Sequence, residues 1–223
     1  MPESLPQKPP KSPKCRLLDV GGGEPLLAVE RFDRVDTGDE FLHRIHQEDF
    51  FQAFPEFRDK YEPTDGNYAN HCALLIGEES SNPFGDRMML FSRLLLDWAL
   101  GNADNHLKNH SMLWSEDWSS RLLSPLYDLT CTTIYPEIDR EMGVSFGGSR
   151  RIDCVERGDV LRTACACGVG DKRGGMELDS LLEEFPDALL CGIRRVVDQG
   201  FPEADEVGSR IMEGFLARRE IMG

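Results

Sequence analysis

Apolar residues recur at helical spacing between Pro83 and Leu100, and this is the clearest pattern in the chain. Met88, Phe91, Leu95 and Trp98 fall on one stripe, Leu90 and Leu94 widen it, and Asp86, Arg87, Ser92 and Asp97 are expected to face away. The pattern predicts a buried central helix that Gly101-Asn102 stops. Helical periodicity returns over residues 156–166, 176–185, 186–199 and 203–221, with Pro186 placed to start a helix and Gly200 to end one. Between the first two lies 168–175, a glycine-rich break carrying Lys172 and Arg173. It lacks Walker spacing and a preceding strand, so it reads as a linker turn.

Alternating patterns occupy the front of the chain. Cys15-Arg16-Leu17-Leu18-Asp19-Val20, a Gly21-Gly22-Gly23 turn and the apolar run beginning at Pro25 predict a β-hairpin. Residues 40–46 alternate as a short strand, and 47–54 are expected to begin a helix with acids in its first turn. His43 and His46 stand three apart, on opposite faces of a strand, so structural roles are expected rather than a metal site. From Tyr61 to Asn82 the sequence predicts a loop with at most one turn or short helix. Ser111-Met112-Leu113-Trp114 and Arg121-Leu122-Leu123 read as a second hairpin, and 135–148 as a loop with a short strand. The expected fold class is therefore α+β and mainly helical. The expected division is a disordered leader over 1–14, a hairpin and short strand over 15–46, and a helical domain over 47–223.

Composition narrows the function classes. Acids outnumber bases by enough to leave a formal charge of −15. Such a surface repels phosphate backbones, so any nucleic-acid role is expected to come through a partner. The seven cysteines form no Cys-x-x-Cys pair or zinc spacing and are expected to be reduced and mostly buried. No apolar run approaches the ~20 residues of a membrane helix. Residues 1–14 hold five of the thirteen prolines without the apolar core of a secretion signal. These features lead to a cytoplasmic expectation.

Candidate chemistry is concentrated after the central helix, in Gly101-Asn102-Ala103-Asp104-Asn105-His106-Leu107-Lys108-Asn109, followed further on by Pro125-Leu126-Tyr127-Asp128-Leu129. Phosphoryl transfer uses a carboxylate to accept the proton of the attacking hydroxyl, then an amide and a second carboxylate on magnesium. The Asp-x-x-x-x-Asn spacing of Asp104 and Asn109 equals that of the protein-kinase catalytic loop, and Asp128 falls where the second metal ligand should come. On spacing alone a polar turn capping the helix explains the stretch as well. The wording goes further. Gly-Asn-x-Asp-x-His-x-Lys-Asn followed by Pro-Leu-Tyr-Asp-Leu resembles the HipA family, the serine/threonine kinases of bacterial toxin–antitoxin modules. Val29-Glu30-Arg31-Phe32-Asp33-Arg34 resembles the hinge of those kinases, and Arg44 to Phe50 and Lys60-Tyr61-Glu62 are similar to HipA wording as well.

The resemblance implies a C-lobe of a protein-kinase-like fold with a short hinge hairpin. It makes Asp104 the catalytic base, Lys108 a neutraliser of developing charge, and Asn109 and Asp128 the magnesium ligands. Glu30 and Phe32 would lie beside the adenine of ATP. His106 is grouped with them at the nucleotide, although bracing the loop through hydrogen bonds is the favoured use of its imidazole. The implied cofactors are ATP and Mg2+. The implied partners are a protein serine or threonine substrate and a small helix-turn-helix antitoxin, with no direct nucleic-acid or membrane contact. The resemblance covers the C-terminal half of a HipA kinase. No Gly-rich phosphate loop and no Val-Ala-Ile-Lys strand stands ahead of the hinge in this sequence. The N-lobe is therefore expected to be missing, and the rival function is a non-catalytic module that binds an antitoxin or a separate N-lobe subunit.

Overall fold

The computed structural model describes residues 13–21, 25–36, 38, 40–64 and 66–222. The expected leader lies outside the described residues except for Pro13 and Lys14, as do Gly22 and Gly23 of the expected turn. The first hairpin forms as the alternation predicts, with β1 (Cys15–Leu18) antiparallel to β2 (Leu26–Val29). Lys14 belongs to this hairpin rather than to a leader: its carbonyl accepts from the Glu30 N–H at 2.9 Å, adding a rung. Two-residue strands β3 (Arg34–Val35) and β4 (His43–Arg44) pair next.

Residues 47–54 do not start a helix at Gln47. Gln47–Asp49 is a strand, β5, and the helix α1 (Phe50–Ala53) begins after it. Asp49 is the N-cap, accepting from the Gln52 N–H, while the Gln52 side chain returns the bond to Asp49. This reciprocal cap fixes where the helix can start. The segment 61–82, expected as mostly loop, contains the helix α2 (Tyr68–Glu79), capped by the Asn67 side chain. Tyr68, Ala69, Cys72, Ala73 and Ile76 form its buried face.

The central helix α3 (Pro83–Leu100) runs as predicted and ends at Gly101, whose φ of 82° is left-handed. Its outward face is not as expected. Asp86 and Asp97 are buried, as is Arg93, because the next hairpin and the following loop fold over that side. Asp86 accepts from Ser80 Oγ and from the Leu123 N–H, which ties α3 to the hairpin. β6 (Ser111–Trp114) and β7 (Arg121–Leu123) make that hairpin, and β5 pairs with β6 to complete a three-stranded sheet. β8 (Glu141–Phe146) and β9 (Ser149–Arg151) follow.

The rest is helical: α4 (Arg157–Ala166), α5 (Asp171–Asp198) and α6 (Ala204–Ile221). Here two expectations are corrected. Helices 176–185 and 186–199 are one helix with Pro186 inside it, and 168–175 is not all linker, since helix resumes at Asp171. Phe185, beside the proline, packs its ring 4.5 Å from Phe215 of α6. The core gathers around α3, where Phe91, Leu94 and Trp98 meet Phe50, Ile76, Phe146, Leu178 and Phe215. Burying each such side chain is worth roughly 1.5–3 kcal/mol. All seven cysteines are free, but the expectation that most are buried fails: Cys15, Cys154, Cys165 and Cys191 are exposed. Among the described residues no helix is long and apolar enough to cross a membrane.

Candidate active site

The loop after α3 is pinned before any ligand arrives. Its first anchor is the end of the helix, where the Gly101 N–H donates to the Asp97 and Trp98 carbonyls and the Asn102 N–H to the Asp97 carbonyl. The Asn102 amide then donates to the Asp97 carboxylate at 2.7 Å. Asp97 is fully enclosed, and burial pushes its pKa up to about 7 against the opposing pull of Asn102, Asn105 and Arg93. A second anchor is Thr132, whose hydroxyl accepts from the Ala103 N–H and donates to the Gly101 carbonyl. The third is β8: the Gly143 N–H donates to the Ala103 carbonyl and the Val144 N–H to Asn105 Oδ1. From α6, Arg218 donates to the Ala99 carbonyl at 2.9 Å. These anchors leave the Asp104 side chain 48% exposed on a loop that is buried apart from it and Lys108.

The Asn109 side chain closes the loop from its other end. Its Nδ2 donates to the Asp104 carbonyl at 3.1 Å, which turns Oδ1 away from that contact. Asp128 arrives on the segment after β7 with a φ of 57°, a left-handed conformation rare outside glycine. Its charge raises the pKa values of Asp97 and His106, as secondary influences on groups dominated by burial. Asp128 therefore stands within electrostatic reach of the loop. Among the described hydrogen bonds neither the Asn109 side-chain oxygen nor the Asp128 carboxylate has a donor. No cluster of three His, Cys, Asp or Glu residues able to hold a metal occurs among the described residues. An ion at Asn109 and Asp128 would thus draw its remaining ligands from a nucleotide and water, in keeping with magnesium's habit of few protein ligands.

The hinge reaches this loop through Tyr127. Phe32 packs its ring 5.6 Å from the Tyr127 ring, and the Tyr127 hydroxyl donates to the Lys108 carbonyl at 2.6 Å. Behind Phe32, buried Asp33 is gripped by Arg31 and Arg34. Burial raises the Asp33 pKa, but the two guanidiniums outweigh it and hold the carboxyl below its usual range. Two expected residues are not drawn in. The Glu30 side chain lies on the surface, 3.5 Å from the Lys14 ammonium, and the Lys108 ammonium lies over the Phe51 ring rather than beside Asp104.

His106 is buried, with Nε2 2.5 Å from the Lys60 ammonium and 3.9 Å from Asp104 Oδ1. Burial, then the neighbouring Lys60, lowers its pKa, so the ring is neutral. Sequence reasoning assigned no role to Lys60, Tyr61, Asn102, Asn105 or Tyr127. The signal for the first two was Lys60-Tyr61-Glu62, whose residues all reach the site's walls: Tyr61 donates to Asp104 Oδ1 at 2.7 Å, and buried Glu62 accepts from the Ser145 N–H and hydroxyl. A cavity of about 280 Å³ lined by Gly66, Asn67, Gly147, Gly148, Arg162, Thr163 and Ala166 shares no residue with this loop.

Comparisons with known proteins bear on the family and the fold. Residues 11–189 match the family described as HipA-like C-terminal domain. The chain is 38% identical over 137 residues to Putative kinase Y4mE of Sinorhizobium fredii, covering 60% of this chain and 31% of that protein. It is 32% identical over 172 residues to Putative kinase Y4dM of the same organism, covering 72% and 39%. Among solved structures, a chain of the Shewanella oneidensis MR-1 toxin–antitoxin complex of HipA, HipB and operator DNA superposes with a TM-score of 0.80. The identity there is 21%, with 95% of this chain and 51% of that chain covered. At that identity the likeness speaks for the fold. The sequence thus spans no more than about half the length of these relatives.

Proposed function

The chain belongs to the HipA-like C-terminal domain family, and from that premise we propose that it carries the catalytic loop of a serine/threonine protein kinase that uses ATP. The observation that carries the reading is the loop itself, a half-exposed Asp104 held rigidly between α3, Thr132 and β8, with Asn109 locked onto its backbone. Preorganisation of this kind is what a positioned base requires. Asp104 accepts the proton of the acceptor hydroxyl as that oxygen bonds the γ-phosphorus and the bond to the β,γ-bridging oxygen breaks. Asn109 and Asp128 would hold magnesium through their side-chain oxygens, and the ion would supply positive charge to the nucleotide phosphates. Phe32, backed by Tyr127, offers an apolar wall for the adenine. His106 braces the loop as a neutral ring against Lys60.

The partner proposed is a small DNA-binding antitoxin. The Shewanella oneidensis complex contains HipB and operator DNA, and a formal charge of −15 favours contact with DNA through such a protein rather than directly. The test is transfer of labelled γ-phosphate to a protein acceptor by the longest natural form of the chain. Asp104→Asn should abolish transfer and leave ATP binding in place. Transfer that survives the substitution would remove Asp104 from the role of base.

A further inference from the structure

We propose that Tyr61 is a positioning residue for Asp104: its phenol anchors one carboxylate oxygen, Oδ1, and thereby presents the other, Oδ2, to the acceptor hydroxyl. The inference rests on the reading of Asp104 as the base. Its ground is geometric. The Tyr61 hydroxyl donates to Oδ1 at 2.7 Å. The Asn109 amide goes to the Asp104 backbone carbonyl, so it does not compete for either carboxylate oxygen. Among the described hydrogen bonds no donor reaches Oδ2. A carboxylate on a single χ2 torsion is free to rotate, and one strong donor on one oxygen is enough to fix its plane.

The phenol is itself held from both sides. The Lys60 carbonyl accepts from the Leu107 N–H and the Glu62 N–H donates to the Gly143 carbonyl, so the backbone on either side of Tyr61 is stitched to the catalytic loop and to β8. Glu62 adds two bonds to Ser145, and the Tyr61 N–H donates to Asp59 Oδ1. The ring stands edge-on to His106, centroids 5.2 Å apart at 78°, with the Lys60 ammonium 4.7 Å from its centroid. Tyr61 thus joins His106 and Asp104 through one tripeptide, and Tyr61 stands 43 positions before Asp104. The bond to Asp104, then burial, raises the Tyr61 pKa to about 12, so the phenol remains a donor throughout the physiological range.

Two measurements test this. The first needs only these 223 residues and no activity. In a 13C-tyrosine NMR titration, the resonance that Tyr61→Phe removes should titrate near 12, and in Asp104→Ala it should move toward the ordinary tyrosine value of 10.0. A Tyr61 resonance already at the ordinary value, or unmoved by Asp104→Ala, overturns the contact. The second uses the longest natural form of the chain in the phosphate-transfer assay. Tyr61→Phe keeps the ring packing and loses the donor, and should lower kcat about 10- to 100-fold, the cost of a misplaced catalytic group, with KM for ATP unchanged. If Asp104→Asn is inactive while Tyr61→Phe keeps the parental kcat, the positioning role falls and the base survives. If Asp104→Asn is active, the base reading falls instead. Phosphate found on Tyr61 would make it an acceptor and overturn the proposal.

Discussion

Burial carries Asp97 up to about 7 and His110 down to about 3, and the two shifts act on stability in opposite directions. A raised carboxyl pKa means the folded state holds a proton that the unfolded chain releases near pH 4. Its contribution is complete below that value and is lost as pH rises through 7. A depressed imidazole pKa means the unfolded chain takes up a proton below its ordinary 6.5 that the folded state refuses, so stability is lost as pH falls through that range. Both groups feel buried Arg93, whose three side-chain nitrogens have no hydrogen-bond partner and whose own pKa burial lowers to about 10. Between pH 4 and 6.5 the two slopes largely cancel. Asp97→Asn, which keeps an acceptor for Asn102, should expose the histidine slope, with stability rising by up to about 1.4 kcal/mol per pH unit over that window. His110→Phe should expose the opposite slope. Urea melts at several pH values check both, and parallel profiles for parent and variants would show that neither group titrates as the fold requires.

Elements set the loop as firmly as residues do, and β8 lies close against it. A Cβ built on Gly143 would meet the Asn105 carbonyl oxygen at 2.7 Å and the His106 Cα at 2.8 Å, both backbone or nearly so. Gly143→Ala must therefore push β8 off the loop. It should cost about 1–3 kcal/mol by overpacking, and it should lower phosphate transfer by more than the melting change explains. Pro186 offers the reverse case. Inside α5 it forfeits a helical hydrogen bond, next to Phe185, which packs on Phe215. Pro186→Ala should stabilise the chain by about 1 kcal/mol or more, since interior proline costs ~3 kcal/mol and part of that returns through the unfolded state. A lower melting temperature in that variant would mean that the proline stabilises α5. These elements also mark what the sequence could and could not reveal. The α3 stripe and the β6–β7 hairpin were legible because local periodicity matched burial. Asp97 and Asp86 were read as outward-facing because the partners that bury them, Asn102 and the Leu123 N–H, come from segments folded over α3 later in the chain. The sequence allows a short helix in 61–82 but not the full extent of α2, because its signal is an Asn67 cap and a short apolar face within a turn-rich stretch.

Across the whole molecule the site is assembled from three distant pieces. Tyr127 bridges the hinge around Phe32 to the loop from Gly101 to Asn109, and the Lys60-Tyr61-Glu62 strip meets that loop directly through Tyr61 and the Lys60 carbonyl. Wording in the sequence marked the hinge and the loop as candidates. Their contacts were not legible, because long-range pairing leaves no periodic trace. In the proposed reading Asn109 and Asp128 would face the phosphates from one side only. The 223 residues contain no Gly-rich phosphate loop ahead of the hinge and no Val-Ala-Ile-Lys strand to oppose them. Removing even one preorganised donor from a transferring group costs ~3 kcal/mol, so a polypeptide of only these residues should bind ATP weakly and show no measurable protein-kinase activity. Magnesium with ATP should still raise its melting temperature, because binding to the folded state alone stabilises it, and Asp128→Asn should erase that rise. Adding the N-terminal portion of a Sinorhizobium fredii relative should restore transfer, and Asp104→Asn should abolish what is restored. Ordinary kinase turnover by the isolated 223 residues would show that one face suffices, and a melting shift that persists in Asp128→Asn would place the ion elsewhere on this acidic surface.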